Sequence, residues 1–141
     1  MGGWPKINRG FTLQTRTGLY DLHARVMRVG KTDWLVCIWG GQRPHIGAVA
    51  MAMPRPSLKD PTKWSSTVSV FTYPGHKEDQ LVKEAAQSLS AAVRGNVVVC
   101  AGAHWEDLSP EGIQKVIENC RSLVLLILER LGSSPDCRVL P

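Results

Sequence analysis

No apolar run in these 141 residues is longer than six, the length of Leu123–Leu128. A membrane-spanning helix needs ~18 or more, so none is expected. The stretch Met1–Lys6 lacks the apolar centre of a secretory leader. Lys6 stands where an N-myristoylation pattern calls for Ser or Thr. Cys37, Cys100, Cys120 and Cys137 are far apart, with no C-x-x-C pair among them. Three of them lie in strongly apolar segments, where a thiol behaves as a small buried hydrophobe. The expectation is a reduced, cytoplasmic protein with no structural zinc site. The signatures G-x-S-x-G, G-x-x-x-x-G-K-[ST] and G-x-G-x-x-G are all missing.

What is present is ordinary for a folded domain: 43% hydrophobic and 21% charged residues. The length suits one domain that buries a core without staples. The net charge of +5 is uneven. Residues 1–70 hold ten Lys/Arg against three Asp/Glu, and residues 71–141 hold seven against nine. The positive charges are dispersed rather than gathered on one face, which speaks against nucleic acid. A single phosphate-bearing small molecule needs only one or two placed cations.

Residues 1–18 mix Gly, Pro and polar side chains and read as a loosely ordered lead-in; residues 19–141 read as the single domain. Tyr20, Leu22, Ala24 and Val26 alternate with polar residues, the period of a half-buried strand. Asp33–Trp39 is a dense run of β-formers after a Gly30-Lys31 turn. Ile46–Met53, bounded by Pro44 and Pro54, and Ser66–Tyr73 read as further strands, with an exposed loop at 54–63 between them. The period then changes. Leu81, Val82, Ala85, Leu89, Ala92 and Val93 mark an amphipathic helix from about His76 to Arg94, closed by Gly95. Val97–Ala101 is a buried strand, free to pair in parallel because it follows a helix. Ser109-Pro110-Glu111 opens a second helix that ends at Gly132. The predicted class is α+β: four strands in a mainly antiparallel sheet, then helix, strand, helix (ββββαβα), with the helices on one face. Leu123–Leu128 carries more apolar surface than one helix-on-sheet packing requires, which predicts a dimer.

Three histidines stand at strand ends beside glycine or proline: His45 in GGQRPHIG, His76 in PGHKE and His104 in AGAHWED. Glycine allows close backbone approach to a ligand, and loops on a rigid sheet carry binding residues. If the three ends meet, they form one pocket. His23 sits mid-strand and reads as structural. Three imidazoles with Glu78, Glu106 or Asp107 suit a divalent metal. However, no H-x-x-x-H spacing fixes two ligands on one element, so no metal is expected. The Pro74–Lys77 turn offers a helix N-terminus to an anion, Lys77 adds a point charge and Arg43 a bidentate fork. Trp39 and Trp105 are candidates for stacking on a ring system.

The segments GGQRPHIGAVA, PGHKE and VVVCAGAHWEDLSPEGI resemble the small LpdD-like prenylated flavin chaperones that accompany UbiD-type aromatic-acid decarboxylases. The likeness spans about residues 20–130. It implies a homodimer with a fold like that of proteasome assembly chaperones. It also implies binding of reduced prenylated FMN and its delivery to an apo-decarboxylase, with no nucleic acid or membrane partner. On this reading Gly41, Arg43, His45, Gly75, His76, Lys77, Glu78 and His104 line the cofactor site, and no residue is catalytic. Two other readings stay open: a small metal-dependent enzyme using His45, His76 and His104, and a ligand-free assembly subunit of the decarboxylase.

Overall fold

The computed structural model describes residues 10–132. Among these, six strands and two helices follow in the order β1 (Phe11–Gln14), β2 (Leu22–Val29), β3 (Asp33–Gly41), β4 (Ala48–Pro56), β5 (Trp64–Thr72), α1 (Asp79–Val93), β6 (Val97–His104) and α2 (Pro110–Gly132). They form one sheet in the spatial order β1-β2-β3-β6-β4-β5. Strand β6 enters between β3 and β4, parallel to β3 and antiparallel to β4. The α+β class and the parallel option for the last strand agree with the sequence reading. The four-stranded, mainly antiparallel sheet does not: the sheet has six strands and is mixed.

Period-two burial explains the layers. Leu22, Ala24 and Val26 of β2 pair in register with Gly40, Ile38 and Val36 of β3. Ala48, Ala50 and Ala52 of β4 face Ala101, Val99 and Val97 of β6. All these residues are buried, and the apolar ones belong to one core cluster with Val82, Leu89, Leu123 and Ile127 of the helices. Side chains at i, i+2 share a face, so both helices cover the same face. The small alanines of β4 let α1 approach closely. Among the described residues, nothing covers the opposite face. Leu35, Cys37, Trp39, Val98 and Cys100 are half-buried there, while Met51, Met53 and Phe71 are more than half exposed.

Several boundaries moved for physical reasons. Phe11–Gln14, within the predicted lead-in, pairs with His23–Val26 as an edge strand, too short to show its own periodicity. Residues 1–9 and 133–141, Cys137 among them, lie outside the described residues. Strand β4 runs on to Pro56, because Arg55 and Pro56 keep pairing with Ser65 and Trp64. Helix α1 starts at Asp79 rather than His76 and closes on Arg94, which adopts the left-handed conformation at φ 52°. Gly95 has another duty: a Cβ there would collide with the Thr32 carbonyl. The start of α2 agrees, with Ser109 Oγ accepting the Gly112 N–H at 3.0 Å. Its apolar end is more absorbed than expected. Leu123 and Ile127 are fully buried, and Leu125 and Leu126 are exposed.

The turn between β1 and β2 is organised by Asp21. Its carboxylate accepts from Thr15 Oγ1 at 2.7 Å, Thr17 N–H at 2.8 Å and Gly18 N–H at 2.8 Å. Buried Asn119 of α2 holds the same turn, donating through Nδ2 to the carbonyls of Leu19 and Tyr20 at 2.8 Å. The Thr15 hydroxyl is the largest of the contacts that hold Asp21 down from 3.8 to about 2. A depressed carboxyl stabilises the fold above its unfolded value and loses that contribution as it protonates. Replacing Asp21 with Asn should therefore lower the melting temperature by a few degrees at pH 7. The gap to the parent protein should close as pH falls from 3.8 to about 2, as read by thermal circular dichroism across that range.

Candidate functional site

Strand β6 brings distant segments to one end of the sheet. Gly41, at the end of β3, pairs with His104, at the end of β6. Gln42 N–H donates to the His104 carbonyl at 2.8 Å. Gly47 N–H donates to the Ala101 carbonyl and Tyr73 N–H to the Gly47 carbonyl, both at 2.9 Å. The β3–β4 loop is thus clamped between the ends of β6 and β5, where α1 begins.

There His45 meets the turn before α1. His45 Nε2 lies 3.0 Å from His76 Nδ1 and 3.0 Å from Glu78 Oε1. The rings stand 4.7 Å apart at 42°. His45 Nδ1 lies 2.9 Å from the Arg43 carbonyl. A carbonyl only accepts, so Nδ1 carries the hydrogen. Glu78 is 8% exposed and sits at the N-cap of α1 without capping it. Its carboxylate instead accepts the Lys77 N–H at 3.0 Å and the Ala103 N–H at 3.4 Å. An unpaired buried carboxylate costs several kcal/mol, so these two N–H donors help hold Glu78 there.

Two glycines make the space. A Cβ at Gly47 would collide with the Glu78 carboxylate, and one at Gly102 with the His45 carbonyl. Neither was among the expected site residues, although a glycine at a strand end is a signal for such approach. Gly41 and Gly75 are both at φ 82°, a conformation open to glycine.

The other expected residues take different places. Arg43 reaches Glu106 at 2.6 Å in an exposed ion pair. Lys77 is exposed at the mouth. Beside the expected anion site at the helix N-terminus stands the chain's own anion, Glu78, turned towards the loop with no capping hydrogen bond. His104 reaches the same sheet end, but its ring is outside the group of ligand atoms formed by His45, His76 and Glu78 within 4.8 Å. Trp105 packs edge-on against Tyr20 at 5.4 Å, and Trp39 stacks on His23 at 5.7 Å on the uncovered face. Neither joins the cluster. The objection to a metal also loses force. Ligand atoms need no helical spacing when two adjacent loops supply them.

A separate groove of about 490 Å³ lies between α1 and α2, lined by Leu81, Ala85, Val124, Leu125 and Leu128. The Glu84–Arg121 pair at 3.1 Å borders it. Cys120, on its wall, has its thiol pushed up to about 12 by burial, so it is no nucleophile.

The family model described as the prenylated flavin chaperone LpdD-like domain matches residues 16–132. A chain from a chaperone complex for yeast 20S proteasome assembly has a similar fold, with TM-score 0.50 and 12% identity, covering 84% of this chain and 96% of its own. A search of curated proteins gives no significant match.

The clamp on His45 is testable without a ligand. Gly102→Ala forces a backbone collision and should lower stability by about 1–3 kcal/mol, the range for overpacking a tight site. Gly132→Ala, where no atom lies within 4 Å of the added Cβ, should be near neutral in the same urea titration.

Proposed function

Because this chain belongs to the family of LpdD-like prenylated flavin chaperones, we propose that it binds reduced prenylated FMN at the β3–β4 and β5–α1 end of the sheet and hands it to a UbiD-type apo-decarboxylase. The observation that carries the reading is the convergence of His45, His76 and Glu78, held by backbone groups of the exposed residues Arg43 and Lys77. A flavin mononucleotide is an anion on a polar tail joined to a flat ring. The phosphate suits Arg43 and Lys77, since the Glu78 carboxylate beside the helix end would repel it there. The ring suits the imidazole wall of His45 and His76, with Gly41, Gly75 and His104 at the rim. The Arg43–Glu106 pair is exposed on both sides and contributes at most about 1 kcal/mol, so a phosphate can recruit Arg43 cheaply.

A carrier must release its cargo, and this site has the features for that. It is open, and it lies at one end of a rigid sheet where a partner can cover it. An enzyme using three imidazoles is the weaker reading, because His104 stands apart from the other two. The chain itself is proposed to work as a homodimer joined through the uncovered sheet face. Leu35, Cys37, Trp39, Val98 and Met51 form an apolar surface there with no covering element among the described residues. Two sheets stack face to face at about 10 Å, a geometry that a two-fold axis supplies directly.

Anaerobic titration with reduced prenylated FMN should quench tryptophan fluorescence and saturate. The double variant Arg43→Ala/Lys77→Ala removes only exposed side chains and should bind at least about tenfold more weakly, the loss expected for charge-assisted contacts. An unchanged affinity would overturn the phosphate placement. Light scattering should give a dimer for the parent chain. Met51→Glu places a charge on the exposed face and should give folded monomer.

A further inference from the structure

Glu78 and two imidazole nitrogens come together, with His45 Nε2 3.0 Å from each partner and His76 Nδ1 3.8 Å from Glu78 Oε2, and at most one hydrogen on His45 Nε2 serves both of its contacts. His45 Nδ1 donates to the Arg43 carbonyl, so in the neutral ring Nε2 presents a lone pair. That lone pair faces Glu78 Oε1 at 3.0 Å and His76 Nδ1 at 3.0 Å. If His76 donates its Nδ1 hydrogen to His45, the carboxylate oxygen still faces an occupied lone pair. Glu78 meanwhile already accepts two backbone N–H groups. A positive centre between the three atoms resolves the contact. A proton on His45 Nε2 is shared between Glu78 and His76 at best, whereas a metal ion engages all three groups at once.

We infer that His45, His76 and Glu78 form a binding site for one divalent first-row transition-metal ion of the zinc class. The distances fit. Ligand atoms about 2.0–2.1 Å from a common ion stand about 3.0 Å apart at a right angle and about 3.4 Å apart in a tetrahedron. Two nitrogens with one carboxylate favour zinc, cobalt, nickel or iron over calcium and magnesium, which prefer oxygen. The supporting contacts are in place as well. The Arg43 carbonyl fixes the His45 ring with Nε2 inward, and two backbone N–H groups orient Glu78, the kind of outer contact that holds metal ligands in position. Gly47 and Gly102 keep the pocket clear of Cβ atoms. Three protein ligands leave coordination positions open towards the mouth, for water or an oxygen donor. The inference shares His45 and His76 with the flavin reading, which places its ring there, but the flavin's charge contacts are assigned to Arg43 and Lys77 and are tested separately.

The test uses full-length, tag-free protein dialysed against chelator and titrated with Co²⁺ alone, followed by visible absorption and calorimetry. The expected result is saturation at one ion per chain, with ligand-field bands that Zn²⁺ abolishes by competition. His45→Ala and His76→Ala should each weaken binding by at least about tenfold, and His23→Ala, a histidine outside the site, should bind as the parent does. Glu78 is buried, so Glu78→Gln is read only if circular dichroism shows it folded. His76→Ala, with a side chain 36% exposed, keeps the test decisive either way. Absence of saturable binding, or binding unchanged in His76→Ala, would overturn the inference. The flavin titration with Arg43→Ala/Lys77→Ala is a separate readout, so either proposal can fail alone.

Discussion

A strand that joins a sheet in parallel must enter from the same end as its neighbour, and the chain must return across one face of the sheet to get there. Here α1 makes that return between β5 and β6, and β6 then lies beside β3 over eight register pairs. The site depends on this pairing. It splits β3 from β4 by one strand's width, so the β3–β4 loop must span the end of β6. His45 is carried on that span. Were β3 and β4 direct neighbours in a hairpin, a tight turn would replace the span, and residues 42–47 would have nothing to lie across.

Burial of Glu78 follows from the same arrangement. A carboxylate at the N-cap of a helix commonly faces the first N–H groups of that helix. Glu78 turns away from its own helix towards the loop, accepting Lys77 and Ala103 N–H groups and meeting His45. The helix still gains from a negative charge at its positive end. The position therefore serves two elements at once: it completes the dipole of α1 and anchors the loop that crosses β6. This double duty is why a charged residue is tolerated at 8% exposure, and why its geometry is held more firmly than that of Arg43 or Lys77.

Much of this was legible in the residues, and the gaps have physical causes. Period-two alternation exposed β2 and β5, a dense run of β-formers exposed β3, and the change of period at Pro74-Gly75 exposed α1. Ser109 and Pro110 marked the start of α2 to the residue. The four residues of β1 escaped because Phe11 and Leu13 are only half-buried at the sheet edge, which leaves little alternation to read. Strand order escaped for a different reason: nothing local in Val97–His104 says which neighbours it has. The histidine contexts correctly suggested a shared sheet end, but which rings touch depends on one residue of register. His76 and Glu78 lie two apart on a turn and face the same loop. His104 belongs to the same end, yet its ring stands outside the cluster. Gly47 and Gly102 were visible as letters but not as spaces, since the room a missing Cβ leaves is known only once the opposing backbone is placed.

The helix groove and the sheet end illustrate why cavity size alone is a poor guide to chemistry. The groove between α1 and α2 is roomy and apolar, but the ionisable groups beside it are accounted for. Glu84 and Arg121 satisfy each other, holding the Glu84 carboxyl below its ordinary value, and Cys120 is held protonated by burial. At the sheet end the situation is reversed. Three polar side chains crowd together around a single His45 nitrogen, near the exposed residues Arg43 and Lys77. Unresolved polar contacts mark a place where a ligand lowers the free energy most, because every buried acceptor facing another acceptor is a penalty awaiting a partner. The helix face thus holds the domain together, while the sheet end is where the proposed charged guest fits.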